Sequence, residues 1–194
     1  VPAATAFTAS LPPWLADFPL PTELPSAEHR MRLVHDLADR NWREGNGGPF
    51  AAIVVDHATG ALVSVGVNVV LSSGLSLAHA ELVAISLAQV ELGGWDLGAT
   101  RDLELVVNWR PCAMCFGGTI WSGIRHLVVA GSGPECETLT GFDEGPVTAD
   151  WVSELEARGI HVTQDVLREE ALAVFAAYGA SNPLVYNARG GSLG

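Results

Sequence analysis

Leu103 to Ala130 reads LELVVNWRPCAMCFGGTIWSGIRHLVVA. It opens on a continuous apolar run, Leu103 to Asn108, of the kind that forms a buried strand. Pro111 then introduces a short helix, Cys112 to Ser122. A second apolar, β-branched run, His126 to Ala130, reads as another strand. Upstream, two β-branched runs, Phe50 to Val55 and Ala61 to Val70, flank the turn-rich Asp56-His57-Ala58-Thr59-Gly60 and predict an antiparallel hairpin. Ala78 to Leu92 has helical spacing through Leu82, Ile85, Ala88 and Gln89, and Gly93-Gly94 stops it. Ahead of the hairpin, Met31, Val34, Leu37, Ala38 and Trp42 give a helix over Ala27 to Arg43 with Ser26 as N-cap. Downstream, Asp150 to Arg158 reads as helix, Ile160 to Asp165 as strand and Leu167 to Gly179 as a last helix. After an opening helix the order is β-β-α-β-α-β-α-β-α, which argues for one α/β domain over residues 27–194 with helices on both sheet faces. Residues 1–26 hold Pro2, Pro12, Pro13, Pro19, Pro21 and Pro25, so no long helix forms there. Trp14, Leu15, Phe18 and Leu20 make this Pro-rich segment an arm packed on the domain.

The 194 residues suit one domain, and at 48 % hydrophobic they fold rather than stay disordered. Ten Lys and Arg stand against 22 acids, a net charge of -12, which opposes a nucleic-acid surface. No apolar run is long enough to span a bilayer. Val1 to Ser10 lacks a charged n-region and does not read as a signal peptide. Three cysteines, two of them in one short motif, make a poor disulfide framework and point to a reducing, cytoplasmic setting.

Two strings carry the chemistry: His79-Ala80-Glu81 and Pro111-Cys112-Ala113-Met114-Cys115. Each opens a predicted helix. Cys112 and Cys115 are three apart and share a helix face, in a first turn that favours thiolate. Two thiolates and one imidazole, from His79, are a zinc-preferring set, and three protein ligands leave one position open for water. Zinc lowers the pKa of such a water, so hydroxide exists near neutral pH. Glu81, two residues past His79, lies close enough to carry protons without being a ligand. A redox Cys-x-x-Cys pair, or a closed structural site with Cys136 as fourth ligand, leaves Glu81 and Pro111 unexplained. Cys136 lies in a Gly/Pro/Glu loop and reads as a free thiol. His29, His35, His57, His126 and His161 have no motif around them and read as surface or packing residues. Trp109 carries no site argument of its own.

His-x-Glu followed by Pro-Cys-x-x-Cys is the signature of zinc-dependent nucleobase deaminases, and the chain is identified on it as a member of the cytidine-deaminase superfamily. The Pro-Cys-x-Met-Cys form resembles the guanine and tRNA-adenosine branches. Gly47-Gly48-Pro49-Phe50-Ala51-Ala52, Gly141-Phe142-Asp143-Glu144-Gly145-Pro146 and Val185-Tyr186-Asn187-Ala188-Arg189 are similar to guanine deaminases of this fold. The resemblance implies a three-layer α/β/α sandwich with a five-stranded mixed sheet, bound Zn2+ and a homodimer. It implies that Asn68 bonds the base, that Phe50 stacks near it, that Trp121 lines the pocket, and that Ala80 belongs to the substrate site. Asp143 and Glu144 match an acidic pair that holds the guanine edge, with Glu144 also a proton relay. Tyr186 matches a tyrosine that closes the neighbouring subunit's pocket. One departure is Arg110, where related sequences commonly carry Glu ahead of Pro-Cys.

The function expected is hydrolytic deamination of guanine to xanthine and ammonia, or of a close relative such as guanosine, a pterin or an amino-triazine. A tRNA adenosine deaminase shares both motifs but calls for a basic surface. A zinc-stabilised scaffold has no use for Glu81. The partner expected is a small nucleobase, with neither nucleic acid nor membrane.

Overall fold

Alternation along the strands sets the layers in the computed structural model, which describes residues 3–99 and 101–187. Five strands, β1 (Ala51–Asp56), β2 (Leu62–Val67), β3 (Leu103–Val107), β4 (His126–Val129) and β5 (His161–Thr163), form one sheet in the order β2-β1-β3-β4-β5. β1 pairs antiparallel with β2 and with β3, while β3, β4 and β5 run parallel, so the sheet is mixed. Successive side chains point to opposite faces. Ile53 and Val55 therefore join Val106 and Val128 on one face. Ala52 and Val54 join Leu105, Val107, Leu127 and Val129 on the other.

Helices cover both faces. α1 (Ala27–Arg43) and α7 (Arg168–Ala180) bring Met31, Val34, Leu37 and Phe175 to the first. α3 (Ala80–Leu92), α4 (Ala113–Trp121) and α6 (Trp151–Glu156) bring Ala84, Ala88, Ile120 and Trp151 to the second. The expected α/β/α sandwich results. Small residues let α3 lie close on β2: any side chain at Gly66 runs into the Ala80 carbonyl and Ala84. Ser26 caps α1, its hydroxyl accepting from the His29 N–H at 3.4 Å. Residues of the Pro-rich segment pack on the sheet edge. Leu15 and Leu24 are buried, the Leu24 N–H donates to the Gly60 carbonyl, and the Leu62 N–H donates to the Thr22 carbonyl.

Two helices were not expected. The second hairpin run stops at Val67, and α2 (Val70–Ser73) follows, because the Asn68 side chain accepts from the Val70 N–H at 3.2 Å and turns the chain. The Gly/Pro/Glu segment around Cys136 forms α5 (Glu135–Thr140). Its six residues, set between Gly133 (φ 117) and Gly141 (φ 81), are too few for a periodic signal. Cys136 is thereby a fully buried core residue and not a loop thiol.

His35 on α1 ties the two outer helices of the first face. Its Nε2 lies 3.1 Å from the Leu167 carbonyl, which sets the proton on Nε2 if the ring is neutral, and its buried Nδ1 has no partner among the described residues. Burial lowers its pKa below the ordinary 6.5, outweighing the pull of the Leu167 carbonyl. The unfolded chain then binds a proton that the fold refuses, so this stability is present above pH 6.5 and is lost as pH falls through and below it. We expect His35→Gln, which keeps a donor toward Leu167 and cannot titrate, to flatten the fall in melting temperature between roughly pH 7 and pH 5, at a cost of about 1 kcal/mol at neutral pH. An unchanged slope in the variant assigns the effect to other groups.

Candidate active site

Two helix starts meet beside the carboxyl end of β3. His79 is the N-cap residue of α3 and Glu81 lies in its first turn. Cys112 is the N-cap residue of α4 and Cys115 lies in its first turn. One ligand atom each from His79, Cys112 and Cys115 lie within 4.8 Å of one another, with His79 Nδ1 at 3.6 Å from Cys112 Sγ. Cys136 is not part of this group among the described residues, so the closed four-ligand alternative is not formed.

The electrostatics fit a cation. The contact with Cys115, then with His79, draws the Cys112 thiol down to about 4 against the effect of burial. Cys115 goes the other way, raised by the Cys112 contact and by burial, so the two sulfurs share a proton. Burial works against a charge on His79, but Cys112 and Glu81 outweigh it and raise its pKa. Burial, then the Cys112 charge, raises Glu81; the same causes push Glu144 up to about 8. A dication among soft sulfur and imidazole ligands reverses this frustration: it takes the place of the shared protons and favours both thiolates and neutral imidazole. The donor set therefore suits zinc.

A cavity of about 210 Å³ opens next to this group. That is smaller than the roughly 300–1,000 Å³ of drug-sized sites, which suits a small ring. Phe50, Asn68, Asp143 and Glu144, four of the residues singled out in the sequence, border it together with His79 and Glu81, and so does Tyr186. Phe50 meets Phe142 edge-on at 5.6 Å between centroids. Asn68 is 1 % exposed; its side-chain Oδ1 accepts from the Tyr186 hydroxyl at 2.8 Å. The loop that carries Asp143 and Glu144 is tied to the Cys helix, since Ala113 N–H donates to the Glu144 carbonyl at 3.0 Å.

Three positions differ from expectation. Trp121, at the last turn of α4, is 83 % exposed and does not border this cavity within one chain. Ala80 is buried beneath Gly66 and likewise lies outside the cavity wall. Tyr186 lies in its own chain's cavity, where its hydroxyl also accepts from the Gly48 N–H at 2.7 Å. A side chain at Gly48 would displace both Tyr186 and Phe142. Ala188 and Arg189 of the quoted tail lie outside the described residues.

Sequence reasoning missed Trp109, Phe142 and Asn187, which also border the cavity. Trp109 is 1 % exposed, packs edge-on against Phe175 at 5.3 Å, and donates from Nε1 to the Gly133 carbonyl. Its place directly between the β3 run and Pro111-Cys112 was the available signal, since a residue at that junction has to pass the site.

Known proteins agree with this geometry. The profile of the cytidine and deoxycytidylate deaminase zinc-binding region matches residues 25–131. The guanine deaminase of Bacillus subtilis is 32 % identical over 142 residues, which is 73 % of this chain and 86 % of that protein. A crystal structure of the guanine deaminase from Nitrosomonas europaea superposes with a TM-score of 0.86 at 42 % identity, covering 93 % of this chain and 100 % of that one. A structure of the protein NE0047 in complex with 2,6-diaminopurine gives a TM-score of 0.87 at 44 % identity, covering 95 % and 98 %. The chain belongs to the cytidine and deoxycytidylate deaminase family, in its guanine-deaminase branch.

Proposed function

We propose that this chain hydrolyses guanine to xanthine and ammonia, with zinc held by His79, Cys112 and Cys115. The observation that carries this reading is the junction of that ligand group with two buried carboxyls, Glu81 and Glu144, at the floor of a small cavity walled by Phe50 and Phe142. Zinc held by these residues would supply a Lewis acid that acidifies a water molecule. Glu81 takes a proton from the water and passes it to a ring nitrogen, then to the leaving amine. Water adds to the amino-bearing carbon, and the amine departs as ammonia, so the atoms of guanine and water balance those of xanthine and ammonia. Asn68, held by Val70, Tyr186 and the Asn41 side chain on its own carbonyl, keeps its amide nitrogen for the base. Asp143 and Glu144 accept from ring N–H groups, since a purine edge with donors wants carboxylate acceptors. Glu144, pushed up to about 8 by burial, is poised to exchange a proton near neutral pH.

A homodimer in a reducing cytoplasm goes with this reading. Met114 and Trp121 leave apolar surface exposed on α4, and all three cysteines are unpaired. Among the described residues no helix is long and apolar enough to cross a membrane. The tRNA-adenosine reading is not favoured, because ten basic residues against 22 acids give little to hold phosphates.

The test is ammonia release from guanine, guanosine and tRNA by the zinc-loaded protein. We expect release from guanine, little from guanosine, because Tyr186 and Asn187 border the cavity and leave scant room for a ribose, and none from tRNA. Strong guanosine turnover with none on guanine overturns the free-base reading.

A further inference from the structure

The cavity is rich in acceptors. Glu81, Asp143 and Glu144 all border it. A purine such as guanine also presents acceptors, a carbonyl oxygen and the adjacent ring nitrogen on the edge away from the reacting amine, and these need N–H donors. The Asn68 amide nitrogen is a neutral donor free for the base, and most other donors in the wall are already engaged. The Tyr186 hydroxyl donates to Asn68, Trp109 Nε1 to the Gly133 carbonyl, and the Asn187 amide to the Gly141 carbonyl. Ser76 sits exposed at the rim, where water serves it.

Arg110 is different. Its backbone N–H donates to the Gly131 carbonyl at 2.8 Å, which anchors the residue between β3 and the Cys helix. Arg110 borders the cavity, and among the described residues its buried Nε atom has no hydrogen-bond partner. A buried guanidinium N–H left unpaired costs free energy that a ligand acceptor can recover. Its two parallel N–H groups match the spacing of a purine carbonyl oxygen and the neighbouring ring nitrogen, the geometry by which arginine recognises guanine elsewhere. Carboxylates in the same wall repel those acceptor atoms, which leaves the guanidinium as their charged donor.

We propose that Arg110 is the specificity-determining residue that receives the acceptor edge of the purine, its carbonyl oxygen and adjacent ring nitrogen. This rests on the guanine reading. It makes the site selective for 2-amino rings that also carry the carbonyl.

The experiment compares guanine with 2-aminopurine, which has the same reacting amine and lacks the carbonyl. Both kcat/KM and the equilibrium Kd are measured for the zinc-loaded protein, for Arg110→Ala and for Arg110→Lys, with zinc content and melting temperature recorded for each. For Arg110→Ala we expect guanine kcat/KM and affinity to fall by roughly 5- to 100-fold, the worth of a two-pronged arginine contact, while 2-aminopurine changes by less than about threefold. Arg110→Lys, which keeps the charge and loses the fork, falls between. Equal losses on both bases mean that Arg110 acts only through Glu144 or the fold, and overturn the proposal, as does an unchanged preference. If the parent protein binds guanine without releasing ammonia, the catalytic reading fails while the Kd comparison still decides the role of Arg110. If it does not bind guanine, both fall.

Discussion

Glu81→Gln is expected to lower kcat on guanine by roughly two to four orders of magnitude, or more, the range for losing a positioned proton carrier. Glu81 lies in the first turn of α3, is 6 % exposed and borders the cavity, so a water beside the ligand group is within its reach. Glutamine has the same shape and cannot take or give the proton. Because burial already raises the Glu81 pKa, a neutral amide fits the site without an added desolvation cost. Fold and metal content should therefore survive, and the loss should lie in kcat more than in KM. Turnover kinetics with zinc measured in the same preparation would settle it, and a variant that keeps most of its turnover removes Glu81 from the reaction.

The second large effect concerns the metal. We expect about one zinc per chain, loss of ammonia release to background on chelation, and recovery when zinc is returned. Cys115→Ala should abolish zinc retention, because Cys115 is fully buried within the ligand group and, among the described residues, Cys112 supplies the group's other sulfur. The zinc-stripped protein should also melt lower, since a ligand that binds only the folded state stabilises it by mass action. Cys136→Ala is the informative control. Cys136 is just as buried but packs among the residues of the first sheet face, so its loss should cost stability and leave zinc in place. Metal lost from Cys136→Ala, or kept in full by Cys115→Ala, contradicts the assignment. Elemental analysis and thermal melts supply both readouts.

Both experiments bear on residues whose roles are legible in the linear chain. Spacing alone puts Cys112 and Cys115 on one helix face, and Pro111 marks where that helix starts. The strands announce themselves as β-branched runs, and Ser26 caps α1 where the helical pattern begins. The motif chemistry is readable for the same reason: a first-turn thiolate or carboxylate depends on its own helix, within a few residues.

What depends on distant partners was not legible. The paired motifs name His79 and Cys112 as partners, but the way they meet across 33 residues depends on β3 lying next to β1 in the sheet, an order no local pattern encodes. Whether an aromatic is wall or surface is decided by what packs on it. Trp109 and Trp121 flank the same short helix, yet one is 1 % exposed and the other 83 %. Tyr186 reaches Asn68 across 118 residues, and only the folded chain shows that it does so in its own cavity. Helix α5 lacked the length to declare a period and forms because Cys136 and Thr140 find buried places against the core. The sequence by itself determined the longer elements, the ligand set and the proton carrier, since these follow from local periodicity and from two short motifs. The tertiary structure decided the cavity, its aromatic walls and the place of Arg110, since these are properties of segments that meet only when the sheet closes.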